Sequence, residues 1–482
     1  MCRLFLPRYI NGMIKKITYP GEKKLRPLSV RVPAWIPSVE QVAEKAGLDA
    51  ERMKVLLHQF FLSYLKNEHL RRAKVGEGFL PDYFPVSSIL LKETCTDNYL
   101  RYVTALIQEG VIVRRTSKDG GSSYVVGGHA QLYKWSVPET NEGAKSFRKE
   151  SVSGFKQVKS VLVTRDKHMK ECEAKAVAYS KDNPVHVEFF NNISDVVFDE
   201  TYDSMVQKHV VSSDLRFLTA EAIINKEFSW LTIDSFGHRL HHPLTIMPQE
   251  YRAHLRFKDS PDDPLVVLDI ANSQPYFSAV CMTDALIRDH LPDFAPMLSL
   301  VQKYATTPDY LLYQHLCTEG KLYEYLMIGL GLNPENDEER KEIKRLVFSS
   351  VLFSKLRVEG EGQAFRSYFR KTFPTVHELF QKMKRMDSRH FPHVREVLLK
   401  SRKKRKGPMV GSMYKIVSMC LQRAESTVML KVAGPHLVKA GIKCFPIHDA
   451  YVVKRSDADT ARKIIEDSFT ELGLPVPRIS TS

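Results

Sequence analysis

Residues 264–280 read PLVVLDIANSQPYFSAV and contain a short apolar run that ends in an acid. Leu265 to Leu268 are all apolar, and Asp269 follows at once. A run of this kind is typical of a buried strand, so we expect a strand that delivers a carboxylate at its end. An acid taken alone is most often a surface or turn residue. At the end of a buried strand, however, an acid needs a partner, because an isolated buried charge is costly.

A second stretch with this character is KCFPIHDAYVVKR, residues 443–455. Apolar residues flank His448 and Asp449, which predicts a β-hairpin with an acid at its tip. If the hairpin and the first strand share one sheet, Asp269 and Asp449 meet. Two such carboxylates suit phosphoryl transfer, in which two divalent ions about 3.5–4 Å apart bridge a nucleotide's phosphates and the attacking hydroxyl. We therefore expect two Mg²⁺ ions at Asp269 and Asp449, with Mn²⁺ as a substitute.

The composition agrees with a polyanionic partner. Of 482 residues, 71 are Lys or Arg and 56 are Asp or Glu, which leaves a net charge of +15. This excess favours nucleic-acid binding, although membrane-surface and ribosomal proteins are also basic. The seven cysteines include no Cys-x-x-Cys pair, so we expect no structural zinc and a reducing compartment. No apolar run is long enough for a membrane span. A cytoplasmic location, in a bacterial host or its equivalent, is expected, and a mitochondrial one stays open.

The two stretches resemble known polymerase motifs. DIANSQPYF (269–277) is similar to the first palm motif of family A DNA polymerases, and IHDAYVV (447–453) is similar to their last. The phage-type single-subunit RNA polymerases share this framework. The resemblance implies an α+β right-hand fold with palm, fingers and thumb, built on an antiparallel palm sheet. Versions carried by phages and mobile elements are the most similar in character.

Two further segments follow the family's order. FGHRLHHPLTIMPQEYRAHLR (236–256) resembles the Gly-Arg-Leu segment, and Arg239 matches the arginine that touches the primer-template minor groove. EERKEIKRLVFSSVLFS (338–354) resembles the fingers helix, with Arg340 and Lys344 matching the cations that bind the triphosphate and Phe348 matching the ring that stacks on the nucleotide. Residues four apart share a helix face, as this match requires. A second alignment fits the same helix and uses Lys341, Arg345 and Phe353, and a merely charged amphipathic helix would also look like this.

The region before the hairpin adds candidate nucleic-acid contacts. MVGSMYKIVSMCLQRAESTVMLK (409–431) resembles the helix whose glutamine contacts the template-primer, and Gln422 matches it. By the same resemblance, His448 orients Asp449 or the primer end. The basic run KSRKKRKGP (400–408) predicts contacts to backbone phosphates, through side chains that include Arg402, Lys403 and Lys404. A solvated loop and a nuclear-targeting string remain alternatives for this run.

The sequence departs from the family at three places. Ser273 lies four residues after Asp269, as in the RNA polymerases and unlike most DNA polymerases of the family. Tyr276 stands where the family has an acidic residue that senses the sugar, and its bulk would shape the nucleotide pocket and exclude a 2′ hydroxyl. Ala450 stands where the DNA polymerases often have Glu, so the metal site would depend on the two aspartates. Glu425 and Asp284 are weaker candidates for additional ligands.

The domain organisation follows from these segments. Residues 1–34 read as a basic extended arm, and residues 35–137 as a winged-helix-like domain, because a helix (97–109), a strand (111–115), a Gly-rich turn (118–123) and further strands occur in that order. A small interaction domain is the alternative. Residues 138–160 are polar and predict a linker. Residues 161–235 would be thumb-like or connecting, and residues 236–482 the palm and fingers.

The predicted function is template-directed nucleic-acid polymerisation on a primer, most simply by a DNA-directed DNA polymerase without proofreading. Its partners would be primer-template nucleic acid and nucleoside triphosphates, with no membrane and with accessory proteins left unidentified. Two alternatives stay open. One is a single-subunit DNA-directed RNA polymerase, and the other is a non-catalytic DNA-binding replication protein with a degenerate palm.

Overall fold

A computed structural model describes residues 28–36, 38–73, 83–86, 88–95, 98–115, 131–136, 147–152, 170–202, 220, 223, 231–280, 284–403 and 414–482. The described residues divide into two compact units. The first unit contains those from 28 to 152, and the second contains 170–202 and 231–482. Both units mix helices with small antiparallel sheets.

The first unit is built on a three-stranded sheet and a two-stranded ribbon. Its described strands are Leu28–Pro33 (β1), Phe84–Val86 (β2), Ile112–Arg114 (β3), Gln131–Trp135 (β4) and Phe147–Val152 (β5), and its described helices are Val39–Lys45 (α1), Ala50–Ala73 (α2), Ser88–Cys95 (α3) and Tyr99–Gln108 (α4). The sheet has the order β2-β4-β3, and β1 pairs with β5. Aromatic rings fill the space between α2 and the sheet. The ring of Phe60 lies 4.9 Å from that of Tyr133, and Trp35 contacts Trp135 at 5.9 Å.

Two predicted stretches of the first unit differ from the structure. The predicted linker, 138–160, contains strand β5, and the predicted arm, 1–34, contains strand β1. The two strands pair along their full length, from Leu28 opposite Val152 to Pro33 opposite Phe147. In β5 only the two end residues are buried, while β1 supplies Val30 and Val32. The polar middle of β5 concealed the strand, because its apolar partners lie more than a hundred positions earlier.

The predicted helix and strands of the winged-helix-like region correspond to α4, β3 and β4. The helix ends at Gly110, which adopts a positive φ of 64° as a C-terminal glycine should. The Gly-rich turn at 118–123 lies outside the described residues, as do the other residues between β3 and β4. The winged-helix arrangement therefore stays a prediction.

The second unit is built on a four-stranded antiparallel sheet, order β11-β12-β10-β13. Its described strands are Val196–Phe198 (β6), Thr232–Ile233 (β7), Leu240–His241 (β8), Leu255–Phe257 (β9), Leu265–Ile270 (β10), Cys444–Ile447 (β11), Ala450–Lys454 (β12) and Ile479–Thr481 (β13). Strand β10 is central, which explains why its residues 265–268 are all buried. Strands β6 and β9 form one small ribbon, and β7 and β8 form another.

Helices surround this sheet. They are Val185–Ser194 (α5), Gln249–Arg252 (α6), Ser273–Val280 (α7), Asp284–His290 (α8), Ala295–Tyr304 (α9), Pro308–Thr318 (α10), Leu322–Gly329 (α11), Asp337–Leu346 (α12), Gly360–Thr372 (α13), Pro374–Arg385 (α14), Pro392–Lys403 (α15), Lys415–Ser426 (α16), Gly434–Lys439 (α17) and Ala458–Glu471 (α18), and a further helical run covers 170–179. Among the described residues, no helix has both the length and the apolar character needed to cross a membrane.

Two of these helices continue into π-helical segments. Helix α12 starts at an Asn336 cap, whose side chain accepts the amides of Glu338 and Glu339 at 3.1 and 3.3 Å. It continues as a π-helical segment over Val347–Leu352. Helix α16 likewise continues through Thr427–Ala433 into α17. Segments of this kind occur frequently at functional sites, which directs attention to α12 and α16.

Candidate active site

The two predicted aspartates lie beside each other, Asp269 on strand β10 and Asp449 in the turn between β11 and β12. Strands β10 and β12 pair so that Asp269 lies opposite Ala450, and Asp449 immediately precedes Ala450 in the turn after β11. The amide of Ile270 donates to the carbonyl of Asp449 at 3.3 Å. Both aspartates are partly exposed, so a ligand can reach them. The sheet therefore brings together two acids that are 180 positions apart in sequence.

The two carboxylates repel each other at a site that is partly shielded from water. Burial, and then the charge of Asp449, raise the pKa of Asp269 to about 7, while Lys344 and Arg252 act in the opposite direction. Burial also raises the pKa of Asp449, and Arg239 and Lys344 oppose this. Adjacent buried acids with raised pKa values are typical of functional sites and of sites that a cation would stabilise.

Of the predicted fingers-helix residues, Lys344 is the one that the structure brings to the acids. It is exposed, and its charge acts on both aspartates. Arg340 instead donates to Glu324 at 2.8 Å and lies over the ring of Tyr323. Phe348 is half-buried, and its ring contacts that of Phe353 at 5.2 Å.

The alternative alignment of this helix has its cations engaged elsewhere. Lys341 is bound to Glu338 at 2.6 Å, and Arg345 is bound to Glu342 and Glu361. The position of Lys344 therefore favours the first alignment.

A third acid, Glu425, is fully buried beside the aspartates. Its Oε1 accepts Arg239 Nε at 2.7 Å, and its Oε2 accepts Ser273 Oγ at 2.8 Å and Gln274 Nε2 at 2.5 Å. Burial, and then the charge of Asp449, raise the pKa of Glu425 to about 7, while Arg239 lowers it. Glu425 thus joins helix α16, the β7–β8 hairpin and the start of helix α7 in one polar network.

The β7–β8 hairpin positions Arg239. In its turn, Asp234 accepts the amides of Phe236, Gly237 and Arg239 at 2.9, 2.6 and 3.0 Å, and it pairs with His241 at 3.0 Å. Burial acts to raise the pKa of Asp234, but His241 and these amides hold it well below its usual range. Arg239 is therefore fixed by its own backbone as well as by Glu425.

Gln422 lies against this hairpin. A methyl group at Gly237 would come within 2.5 Å of the Gln422 amide oxygen, so the two elements approach each other closely here. Arg423 and Ser426 fasten the same turn, the former by donating to the carbonyls of Ser235 and Phe236 and the latter by donating to that of Gly237. The structure thus brings Gln422 and Arg239 to the same hairpin.

Backbone strain clusters around the acids. Among the described residues, three that are not glycine have positive φ angles: His238 at 56°, Asn272 at 55° and His448 at 54°. They lie in the β7–β8 turn, just after Asp269 and just before Asp449. Such conformations cost about 1 kcal/mol or more and persist where surrounding structure enforces them, often at functional sites.

His448 faces the hairpin that carries Arg239. Its ring contacts that of His241 at 5.3 Å, and its Nδ1 is buried with no hydrogen-bond partner in the described part of the chain. Burial, and then the charge of Arg239, lower the pKa of His448 to about 4. The imidazole is therefore neutral near pH 7 and does not add to the positive charge around the acids.

The position of Tyr276 contradicts the sequence prediction that this residue shapes the nucleotide pocket. Its side chain is fully buried, and its hydroxyl donates to the carbonyl of Pro475. Its ring contacts Phe277 and Phe469 at 5.2 and 5.6 Å. Helix α7 turns this residue into the core beneath the sheet, so it excludes no 2′ hydroxyl, and the preference for deoxynucleotides loses its basis in this residue.

Some predicted residues lie outside what the structure describes. Helix α15 ends at Lys403, but the side chains of Arg402 and Lys403 are not among those described, and Lys404 follows the helix outside the described residues. The side chain of Asp284 is likewise not described. The predicted phosphate contacts of the basic run therefore remain predictions.

The donor set at the acids fits divalent ions that prefer oxygen. Asp269 and Asp449 supply hard carboxylate oxygens, and their mutual repulsion would be relieved by a cation. Within the described residues, no group of three His, Cys, Asp or Glu side chains is arranged to hold a metal. Any ion at this site would accordingly take its remaining ligands from a substrate and from water, as Mg²⁺ commonly does.

Three contributors were not selected from the sequence. Arg252 acts on Asp269, Ser273 binds Glu425, and Asp234 orders the turn before Arg239. Asp234 had a recognisable signal, because Asp-x-x-Gly is typical of a turn in which the acid binds the following amides. Ser273 stands in the first palm-like motif, but nothing local indicates that it binds Glu425, and Arg252 had no local signal, since the partners of both lie in other elements.

Comparisons with known proteins add little to this geometry. Neither a protein-family model nor a curated protein matches the chain. Among solved structures, it is similar to the POL domain of Pol1 from M. smegmatis, determined in complex with DNA primer-template and dNTP, at a TM-score of 0.35 and 9% identity. The match covers 59% of this chain and only 55% of that one, and at this level of likeness nothing about activity follows.

Proposed function

We propose that this chain is a template-directed nucleic-acid polymerase that extends a primer. The observation that carries the proposal is that strand β10 brings Asp269 beside Asp449 in the β11–β12 turn, with the charge of Lys344 of helix α12 acting on both. In this proposal the four-stranded sheet is the palm and α12 belongs to the fingers. The resemblance of the motifs around these residues supports the same assignment.

The chemistry would be a phosphoryl transfer. The primer 3′ oxygen forms a bond to the α-phosphorus of a nucleoside triphosphate, the bond from that phosphorus to its bridging oxygen breaks, pyrophosphate leaves, and the hydroxyl proton passes to water. Divalent ions, when bound, would bring the attacking and leaving oxygens into line and offset their charge. Asp269 and Asp449 would hold those ions, as neighbouring acids can.

The chain's own cations would handle the phosphates and the nucleic acid. Lys344 would bind the triphosphate and stabilise the charge that develops on the leaving pyrophosphate. Arg239, fixed by Glu425, would contact the primer-template together with Gln422 of helix α16, which lies against the same hairpin. His448 would orient Asp449 from the strained turn that both share.

The test is primer extension with Asp269→Ala and Asp449→Ala. Each variant should lose activity by about a thousandfold or more while still binding primer-template. Asp262→Ala is the matched control, because Asp262 is exposed and lies shortly before the same strand. Wild-type activity in either aspartate variant would sink the proposal.

The same assay decides between the candidate polymerase classes. Wild-type protein is given a primed DNA template with either deoxynucleotides or ribonucleotides. Because Tyr276 is buried, the structure gives no reason for either sugar, and the preferred nucleotide separates a DNA polymerase from an RNA polymerase. Incorporation of neither nucleotide, with DNA binding intact, would instead favour the non-catalytic replication protein.

A further inference from the structure

A basic groove lies on helices α13 and α14, apart from the two aspartates. Two cavities of about 460 and 400 Å³ share Leu356, Arg366, Arg370 and His377 among their lining residues, so they form one continuous depression. Arg385 lines the first cavity and Arg357 lines the second. We call this depression the arginine groove.

The floor of the arginine groove carries positive charge without a matching carboxylate. Arg366 donates to the carbonyls of Ser350, Lys355 and Leu356 and to the Ser354 hydroxyl at 2.6–2.7 Å. Lys384, which is buried behind the groove and does not line it, donates to the carbonyl of Val351 and to Ser354, and burial lowers its pKa to about 7. Arg366 closes the end of the π-helical segment Val347–Leu352, and its bonds go to neutral oxygens, so no carboxylate neutralises its charge.

The open side of the groove adds cations that lack partners. Arg357, Arg370 and Arg385 are exposed and, in the part of the chain that the structure describes, make no hydrogen bond or ion pair through their side chains. The acids that line the groove are fewer. Glu378 is bound to Lys382 at 2.6 Å and accepts Tyr304 at 3.0 Å, which leaves Glu359 as the other lining carboxylate.

A neutral imidazole completes the groove. His377 Nε2 is buried and has no hydrogen-bond partner in the described part of the chain. Burial, and then the charges of Arg366, Arg370, Lys384 and Arg385, lower the pKa of His377 to about 4. The ring is therefore neutral near pH 7, and its tautomer with hydrogen on Nε2 could donate to an anionic oxygen. Like charges gathered around an unused donor indicate an anion as the ligand.

We infer that the arginine groove binds the backbone phosphates of a single-stranded polynucleotide. Two joined cavities suit a chain of phosphates better than one small ion, and guanidinium groups suit phosphate oxygens. Its floor also continues the helix that carries Lys344, because α12 runs directly into Val347–Leu352. The choice of a polynucleotide rests on the proposed function. The groove would then hold a strand at a place separate from the residues proposed for catalysis.

The test is the binding of a fluorescent oligothymidylate, followed by anisotropy in EDTA and without nucleotides. The double variant Arg370→Gln/Arg385→Gln removes two exposed charges of the groove. At about 0.15 M salt, loss of two phosphate contacts should weaken binding by about tenfold and reduce the slope of log K against log salt by about 1.4. The control Arg455→Gln/Lys463→Gln removes two exposed charges outside the groove and should leave both values unchanged.

A charge-preserving variant and two contrary outcomes make the binding test decisive. Arg370→Lys/Arg385→Lys keeps the charge and should restore the salt slope, which a merely misfolded groove would not allow. Equal binding by the glutamine variant and its control would overturn the inference. So would a variant that loses affinity for inorganic pyrophosphate but keeps it for the oligonucleotide, because the groove would then be a free-anion site.

The failure of this inference can be told from failure of the proposed function. Oligonucleotide binding in EDTA needs no catalysis, so it tests the groove even if the wild-type protein extends no primer. Conversely, the glutamine variant could extend a primer on a short template normally and bind the oligonucleotide as the wild-type protein does. That result would refute the inference about the groove and leave the polymerase proposal intact.

Discussion

Glu425 has no exposed surface, yet it sits between three donors and a neighbouring charge. Arg239, Ser273 and Gln274 all bind it, and Asp449 raises its pKa. Removing one partner of a buried ion pair leaves the other without compensation, which is more costly than the pair is stabilising. Glu425 therefore stabilises the structure around Asp269 and Asp449, whether or not it also takes part in metal binding.

We predict losses of stability of different size for two substitutions at Glu425. Glu425→Ala should lower the free energy of unfolding by about 3 kcal/mol, because Arg239, Ser273 and Gln274 lose their acceptor. Glu425→Gln should lower it by less, about 2 kcal/mol, because the amide oxygen still accepts on one side, while the amide nitrogen meets donors on the other and Arg239 loses its counter-charge. Urea unfolding measures both values.

Glu335→Ala, at an exposed position of the same unit, is the control for this pair and should change stability by no more than about 0.5 kcal/mol. Equal losses in the alanine and glutamine variants would show that the charge, and not the acceptor, is what holds the network.

Residues differ in how much of their role the sequence can predict. Asp269 and Asp449 are recognisable because each ends or joins an apolar run, which is a local signal. Glu425 is the single acid of helix α16, but its role has no local signal, because its partners are at least 151 positions away. Tyr276 misleads for the converse reason. Its place in a motif suggests a pocket, while the ring is fully buried against Phe277 and Phe469.

At the scale of elements, helix α12 shows how far the spacing of residues in the sequence can identify functional side chains. Both alignments of its cations satisfy the four-residue repeat, and the sequence alone leaves them open. The structure favours the first alignment at one position, because Lys341 and Arg345 are held by acids, as Arg340 is, whereas the charge of Lys344 acts on both aspartates. Strand β5 could not be predicted from spacing at all, because its sequence is mostly polar and it forms a strand only by pairing with the distant β1.

This difference predicts the behaviour of two lysines on one helix. Lys344→Ala should lower kcat/KM for the nucleotide by about tenfold to a hundredfold, because a charged hydrogen bond to phosphate is worth about 1.5–3 kcal/mol. Lys341→Ala, three residues earlier and exposed, should leave kcat/KM unchanged. Steady-state incorporation at varied nucleotide concentration measures both. A loss confined to Lys341→Ala would favour the second alignment of the helix.

At the scale of the whole molecule, the chain has two units with different buried titratable groups. In the first, His58 is fully buried, and its Nδ1 accepts the amide of Arg31 at 3.1 Å. Burial, and then the charge of Arg31, lower the pKa of His58 from 6.5 to about 3. The folded unit thus keeps this imidazole neutral over a range in which the unfolded chain protonates it.

The first unit should therefore lose stability in mild acid. Between about pH 6.5 and pH 4.5, above the range in which Glu40 of the same unit adds its own dependence, the unfolded state binds one more proton than the folded state through His58, so the free energy of unfolding falls as the pH falls, by about 1.4 kcal/mol per pH unit well inside this window. His58→Gln should remove this dependence, because the amide oxygen can accept from Arg31 and does not titrate. Tryptophan fluorescence reports mainly this unit, since two of the chain's three tryptophans, Trp35 and the buried Trp135, lie in it in contact with each other. His390→Gln, an exposed histidine of the second unit, should keep the wild-type slope, and a His58→Gln protein with that same slope would mean that another group makes the first unit acid-sensitive.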